Sequence, residues 1–195
     1  MKNAIIVILV AAVLCLGGWL VYDKVLSDNT STTSDGTTTT TTSTKQPKSS
    51  NTLDSSDKGL TVVGSDIYNK TNTTVLLLSN NNIQTLPSEM GRMTRLEVLK
   101  IDHNRLDGSL IGEVRKMPLK TLDVSYNNMT GMPAEIGQLN KLETLNYSYN
   151  KITGLPNELA NLKNSLKEFN LTGNPLSQST LDKIKAALPN TNILF

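Results

Sequence analysis

The chain has 195 residues, with 19 lysines and arginines against 17 aspartates and glutamates, so its net charge is +2. This balance argues against nucleic acid as a partner, because it provides no excess of basic residues to follow a phosphate backbone. The single cysteine, Cys15, lies in an apolar stretch, which leaves the rest of the chain without a disulfide, a thiolate metal site or a thiol nucleophile.

The first predicted element is a membrane helix. Nineteen consecutive residues from Ala4 to Tyr22 carry no charge, and as a helix rising about 1.5 Å per residue they nearly span about 30 Å of hydrocarbon. Trp19 and Tyr22 suit the membrane interface, where a ring can have one apolar and one wet side. We therefore expect residues 1–26 to form a single-pass signal anchor whose amino terminus faces the cytoplasm.

Two alternatives to an uncleaved anchor stay open. A cleaved signal peptide prefers a small-residue exit, whereas this run ends in Leu20, Val21 and Tyr22. The segment ending at Cys15 resembles a bacterial lipobox, but Leu14 stands where a small residue is expected. Both departures favour the anchor.

A Ser/Thr-rich stalk is predicted for residues 27–56. Serine and threonine occupy 19 of these 30 positions, and almost nothing apolar is present to bury. Such a composition favours a disordered linker. The linker would hold the following domain on the extracytoplasmic side of the membrane.

A repeated pattern, L-x-x-L-x-L-x-x-N-x-L, occupies residues 73–178 in five copies. Its period is 23 or 24 residues, and its asparagines are Asn81, Asn104, Asn127, Asn150 and Asn174. The alternation of apolar residues predicts short parallel strands with leucines pointing inward. We expect the asparagine ladder to satisfy backbone groups of adjacent turns, since an amide both donates and accepts.

Caps are predicted at both ends of the repeats, because a stacked unit leaves an apolar flank to be covered. Residues 57–72 contain half a repeat and are assigned as the N-terminal cap. Residues 179–195 are assigned to a helix followed by an edge strand. Ser179 or Thr180 is expected to cap this helix, and Pro189 to end it.

The segments between the strands carry a second motif, seen in Leu86–Met93, Met132–Leu139 and Leu155–Leu162. It resembles the L-P-x-x-I-G-x-L class of leucine-rich-repeat proteins. The resemblance implies an α/β solenoid over residues 57–195, curved into a horseshoe with its strands on the concave face. The segment from Asp107 to Pro118 lacks the motif's proline and has Gly112 offset, so an irregular turn is expected there.

By resemblance, the concave face is expected to bind a protein, with a glycan as the other ligand class. Candidate partner-binding residues are Lys100, Asp102, His103, Asp123, Tyr126, Asn146, Tyr149 and Asn170. Equal positions in stacked repeats form columns, in which neighbouring side chains are about 5 Å apart, the spacing of adjacent strands. One column contains Asn80, His103, Tyr126, Tyr149 and Gly173, and its three rings serve either packing or a ligand. A second, containing Glu97, Lys120, Glu143 and Lys167, predicts weak cross-strand ion pairs.

Catalysis finds little support in the sequence. His103 is the only histidine, and no nucleophile elbow or metal-spaced ligand set occurs. We therefore expect a non-enzymatic protein without metal or cofactor. The predicted function is a membrane-tethered, extracytoplasmic protein-binding module of bacterial type; the alternative is an envelope scaffold or adhesin without a specific ligand.

Overall fold

A computed structural model describes residues 51–195 of the chain. The anchor predicted in residues 1–26, including Cys15, and the linker up to residue 50 lie outside the described residues. Among residues 51–195, no helix has the length and apolar character needed to cross a membrane.

Parallel strands form the repeated element of the described region. In chain order they are β1 (Thr52–Asp54), β2 (Val75–Leu77), β3 (Val98–Lys100), β4 (Asp107–Gly108), β5 (Thr121–Asp123), β6 (Asn128–Met129), β7 (Thr144–Asn146), β8 (Glu168–Asn170) and β9 (Asn192–Leu194). Seven of them form one sheet in the order β1-β2-β3-β5-β7-β8-β9, while β4 pairs with β6. Each pairing is parallel. The predicted α/β solenoid with parallel strands is therefore confirmed.

The repeat period sets the strand register. Leu76 lies opposite Leu99, and Leu99 lies opposite Leu122, because 23 residues separate each pair. All three leucines are fully buried. Burial of one such side chain contributes about 1.5–3 kcal/mol before conformational entropy is subtracted.

Short helices connect the strands on the opposite side of the core. They are the α-helices α1 (Ser65–Tyr68) and α2 (Gln178–Ala187) and the 3-10 helices Ser88–Arg92, Gly112–Lys116, Ala134–Gln138 and Asn157–Leu162. Pro87, Pro133 and Pro156 precede three of the 3-10 helices with φ of −73°, −72° and −70°. Because the proline ring fixes φ in this range, it sets the angle at which the chain enters each helix.

The segment around Gly112 differs less from the other units than its sequence indicates. A 3-10 helix forms at Gly112–Lys116, and Ile111 enters it at φ −64°, near the value of the prolines elsewhere. The deviation lies at its end, where Met117 is extended with ψ 132°. Pro118 follows, and a residue before proline is disfavoured in the helical region. The expected irregular turn is thus confined to Met117.

The sheet begins earlier than the predicted boundary at residue 57. Thr52–Asp54 forms β1, in which Leu53 lies opposite Leu76, and the backbone N–H of Ser55 donates to the carbonyl of Leu77 at 2.8 Å. Leu53 keeps the 23-residue period but is the only apolar residue of its neighbourhood. One leucine among serines and threonines gives no recognisable alternation. The prediction that residues 51–56 belong to the linker is therefore wrong.

The C-terminal end has the predicted helix and strand, with a different cap. The hydroxyl of Ser177 accepts the backbone N–H of Thr180 at 3.2 Å, whereas Ser179 and Thr180, the predicted caps, lie within α2. Ile184 and Leu188 from this segment are buried. The strand β9 then extends the sheet by one position.

Candidate partner-binding face

The outward side of the seven-stranded sheet is here called the sheet face. Five of its strands, β2, β3, β5, β7 and β8, are each followed by a left-handed turn, and these turns form a row. The residues Asn80, His103, Tyr126 and Tyr149 have φ between 52° and 57°, and Gly173 has φ 76°. Residues other than glycine rarely adopt this left-handed region of positive φ. Backbone bonds between repeats hold the turns in place: the N–H of Tyr126 donates to the carbonyl of Ser148 at 3.0 Å, and that of His103 donates to Ser125 at 3.1 Å.

The asparagine ladder lies directly behind these turns. The Asn127 amide nitrogen donates to the carbonyls of Ile101 and Val124, both at 3.0 Å, and its oxygen accepts the N–H of Leu106 at 2.8 Å. Equivalent bonds are made by the other members, namely Asn81, Asn104, Asn150 and Asn174. Each asparagine therefore joins backbone groups of neighbouring repeats.

Three rings stack along the row of turns and are called the ring column: His103, Tyr126 and Tyr149. The His103 and Tyr126 centroids are 4.3 Å apart at 14°, and those of Tyr126 and Tyr149 are 4.4 Å apart at 18°. The tyrosines are 45% and 48% exposed. The ring column is thus an ordered aromatic surface in contact with solvent. Its centroid distances are shorter than the strand spacing of about 5 Å.

Asp102 anchors the first ring of the column. Its carboxylate lies 2.9 Å from Nδ1 of His103 and accepts the Ser79 hydroxyl at 2.5 Å. The carboxylate therefore separates the hydroxyl from the imidazole, which is not the order needed for the imidazole to remove the hydroxyl proton. Within residues 51–195 no group of three or more histidine, cysteine or acidic side chains is arranged to hold a metal ion.

Asp123, predicted to contact a partner, is only 6% exposed. One oxygen accepts the Ser125 backbone N–H at 3.0 Å and its hydroxyl at 2.7 Å, while the other accepts the Asn146 amide at 3.1 Å. Burial raises the pKa of Asp123, and the nearby Asp102 charge adds to this, against the opposing effect of the hydrogen bonds. The prediction of an exposed Asp123 is therefore wrong, because Ser125 and Asn146 enclose its carboxylate.

A sequence signal for this enclosure exists. Asp or Asn followed two residues later by Ser or Thr favours a local turn in which the side chain accepts the backbone N–H. Asn146 accepts both the N–H and the hydroxyl of Ser148, at 3.1 and 2.8 Å. Asn170 accepts the N–H of Thr172 at 3.0 Å. The outward third residue of β5, β7 and β8 is consequently committed in part to its own turn.

Lys100, Asp123, Asn146 and Asn170 share one row across β3, β5, β7 and β8. Lys100, Asn146 and Asn170 are half-buried at the sheet face. At the other end of the strands, Lys120 pairs with Glu97 at 2.8 Å and Lys167 with Glu143 at 2.6 Å. The predicted cross-strand ion pairs are confirmed, and the Lys167 contact holds the pKa of Glu143 below its usual range.

Sequence comparison identifies the repeats. Residues 118–176 match a family described as leucine rich repeat, and residues 72–93 match a second family of the same description. The chain is a leucine-rich-repeat protein. No curated protein shows significant similarity to it.

Solved structures similar to this leucine-rich-repeat protein come from bacteria and plants. A Leptospira interrogans LRR protein is 29% identical over 69% of this chain and 40% of its own length, with a TM-score of 0.56. The LRR ectodomain of the Arabidopsis thaliana membrane receptor kinase GASSHO1/SCHENGEN3, in complex with CASPARIAN STRIP INTEGRITY FACTOR 2, is 32% identical over 68% of this chain and 16% of its own, with a TM-score of 0.58. The Arabidopsis receptor kinase HAESA, in complex with the peptide hormone IDA and the co-receptor SERK1, is 28% identical over 74% and 25%, with a TM-score of 0.62. The chain spans between 16% and 40% of the length of these three proteins.

One contact at the leucine-rich-repeat face is not predicted by the sequence. Gly173 lies in the repeat after Tyr149, at the equivalent turn position, and a side chain at Gly173 would meet the Tyr149 ring. The glycine therefore interrupts the column of side chains, while the turn itself stays left-handed. The alignment of repeats shows this position as glycine, but only the coordinates show which ring lies over it.

Proposed function

We propose that the protein is a non-enzymatic, membrane-tethered binding module that uses its sheet face to capture a protein or peptide outside the cytoplasm. The observation that carries this proposal is the ring column. Exposed tyrosines provide large contact area at small entropic cost, and they are enriched among the residues that dominate binding energy. Two half-exposed tyrosines held in a fixed stack are ordered before a partner arrives, which lowers the cost of binding.

The sheet face around the ring column supports a specific rather than a general contact surface. Asn146, Asn170 and Lys100 border the column with polar side chains fixed by the strand register. An aromatic centre with a polar rim is the common composition of protein interfaces. Two of the similar structures were solved as complexes: the GASSHO1/SCHENGEN3 ectodomain with CASPARIAN STRIP INTEGRITY FACTOR 2, and HAESA with a peptide hormone and a co-receptor. This favours a peptide or protein ligand.

Site-specific photo-crosslinking tests the face. A photo-reactive amino acid is placed in the full chain at Tyr126 or Asn170 on the sheet face, and in matched controls at Gln138 or Asn161, which are exposed on the 3-10 helices. We expect a discrete adduct from the first pair, suppressed by an excess of the unlabelled protein. Equal adducts from both pairs, or none that competes, would contradict the use of the sheet face.

The membrane tether is proposed from the uncharged run between Ala4 and Tyr22 and the Ser/Thr-rich segment that follows it. Protease added to intact cells should digest the repeats if they face outward. A cytoplasmic protein serves as the control for cell integrity, and permeabilised cells show that the repeats can be cleaved at all. Repeats that survive in intact cells and disappear after permeabilisation would place the partner in the cytoplasm instead.

A further inference from the structure

A polar groove of about 360 Å³ lies beside the two-stranded sheet of β4 and β6, and it is here called the flank groove. Six residues from four successive repeats line it: Gln84, Arg105, Asp107, Asn128, Thr130 and Lys151. Three of them directly follow a ladder asparagine, and the rings of the ring column directly precede the same asparagines. The ring column and the flank groove are therefore only two residues apart in each of three repeats.

The backbone beneath the flank groove is held by bonds between repeats. Asp107 lies opposite Asn128 in the pairing of β4 with β6, and the N–H of Lys151 donates to the carbonyl of Met129 at 2.8 Å. Arg105 and Lys151 begin about 10 Å apart with Asn128 between them, since each step along the stack is about 5 Å. The lining positions are thus fixed before a ligand arrives, which lowers the cost of binding.

Two cations in the flank groove have no acidic partner. Arg105 and Lys151 are exposed, and within residues 51–195 neither forms an ion pair. The single carboxylate of the lining, Asp107, accepts the backbone N–H of Gly108 at 2.7 Å. The Asn128 amide adds neutral donors. The lining therefore carries an excess of positive charge, and charge-assisted hydrogen bonds favour an anionic ligand there.

The ring column favours the same sign of charge. Tyr126 has a ring stacked on each face, at centroid distances of 4.3 and 4.4 Å, so the exposed part of its ring is the edge. The edge of an aromatic ring is its electropositive part, whereas its face is negative. The stacking also leaves neither face of Tyr126 free for a sugar ring. An acidic peptide fits this surface better than a glycan does.

We infer that the flank groove binds an acidic segment of the peptide or protein ligand. Aspartate or glutamate carboxylates of the ligand pair with Arg105 and Lys151, while the adjoining part of the ligand contacts the ring column. This inference rests on the proposed function, because it assigns a second contact region to the same ligand. It goes further by extending the contact beyond the sheet face and by stating the charge of the ligand.

The test is a titration of fluorescein-labelled hexaglutamate with the full chain, followed by fluorescence anisotropy. We expect saturable binding that weakens between low salt and about 0.15 M salt, because exposed charges are screened, and no binding of hexaglutamine. Replacing both cations, in Arg105→Gln with Lys151→Gln, should weaken binding by about tenfold, as expected for the loss of two exposed ion pairs. Asp107→Asn should tighten binding by about twofold, because it removes a repulsive carboxylate and keeps an acceptor for Gly108.

Matched variants change the same charges elsewhere on the surface. Lys141→Gln with Lys163→Gln removes two exposed cations outside the flank groove, and Glu158→Gln removes an exposed carboxylate outside it. Both should bind hexaglutamate within about twofold of the unmodified chain. Because all the substituted side chains are exposed, the buried core of the repeats is unchanged in every variant.

Four results would overturn the inference: absent binding, binding unaffected by the Arg105 and Lys151 substitutions, equal weakening in the Lys141 and Lys163 variant, or tighter binding of a sulfated hexasaccharide. A ligand crosslinked at Tyr126 in the same yield after Arg105→Gln with Lys151→Gln would overturn it while leaving the proposed function intact. Conversely, hexaglutamate binding that depends on both cations, together with a failure of the sheet-face crosslinks, would support the flank groove and refute the proposed use of the sheet face.

Discussion

Tyr147→Phe should stabilise the protein. Tyr147 replaces an inward leucine of the repeat, is fully buried, and its hydroxyl has no hydrogen-bond partner among residues 51–195. Burial raises the pKa of this hydroxyl far above the ordinary value for tyrosine, so the group stays neutral and keeps its proton. A buried polar group without a partner costs about 1–3 kcal/mol, and phenylalanine has the same shape without the hydroxyl.

The expected gain can be measured by thermal unfolding. A gain of about 1–3 kcal/mol corresponds to about 2–12 °C in Tm for a domain of this size. Tyr149→Phe is the matched control: it removes the same hydroxyl two residues away from a side chain that is 48% exposed, so its Tm should stay unchanged. A lower Tm for Tyr147→Phe would refute the reasoning, because it would mean that the hydroxyl contributes a favourable interaction in the core.

Three further predictions concern the ladder, the buried carboxylate and the ion pairs. Asn127→Leu leaves the buried N–H of Leu106 without its acceptor and should lower the free energy of unfolding by about 1–3 kcal/mol, measured by urea denaturation; an equal loss in the exposed Asn161→Leu would contradict the ladder's role. Asp123→Asn should become more stabilising relative to the unmodified chain as pH rises from about 4 towards 7. The pKa of Asp123 is higher in the folded state than in the unfolded state. The contribution of this carboxyl to the free energy of unfolding is therefore complete at low pH and is lost as pH rises through the folded-state pKa. Thermal unfolding at several pH values would show this, and a difference independent of pH would not fit. Lys120→Ala removes an exposed pair with Glu97 and should change the unfolding free energy by less than about 1 kcal/mol, with a larger change in denaturation counting against a solvated pair.

Much of the fold could be predicted because the repeat carries two signals at once. The alternation of apolar residues gives the strands, and the 23-residue period gives their register, so Leu76, Leu99 and Leu122 could be aligned in advance. The first strand escaped detection because a strand of three residues with one leucine has no alternation of its own. Its position is determined by pairing with β2, which is a tertiary effect.

The site was less predictable than the fold. Sequence position placed Asp123 on the outward side of its strand, which is where it starts, but exposure depends on whether neighbouring side chains close over it. Ser125 and Asn146 do so through hydrogen bonds that join two repeats. The stacking of His103, Tyr126 and Tyr149 followed from their common column, whereas the tilt of Tyr149 over Gly173 depends on side-chain rotamers that a repeat alignment does not contain.

The asparagine ladder also has a consequence for local opening. The carbonyl of Val124 accepts from both Asn127 and Asn150, and that of Ile101 accepts from both Asn104 and Asn127. One repeat cannot detach without removing a donor from the next, so nearest-neighbour coupling along the stack is strong. Amide hydrogens of β3, β5 and β7 should therefore exchange with deuterium through one shared opening event rather than in a graded series from the ends inward.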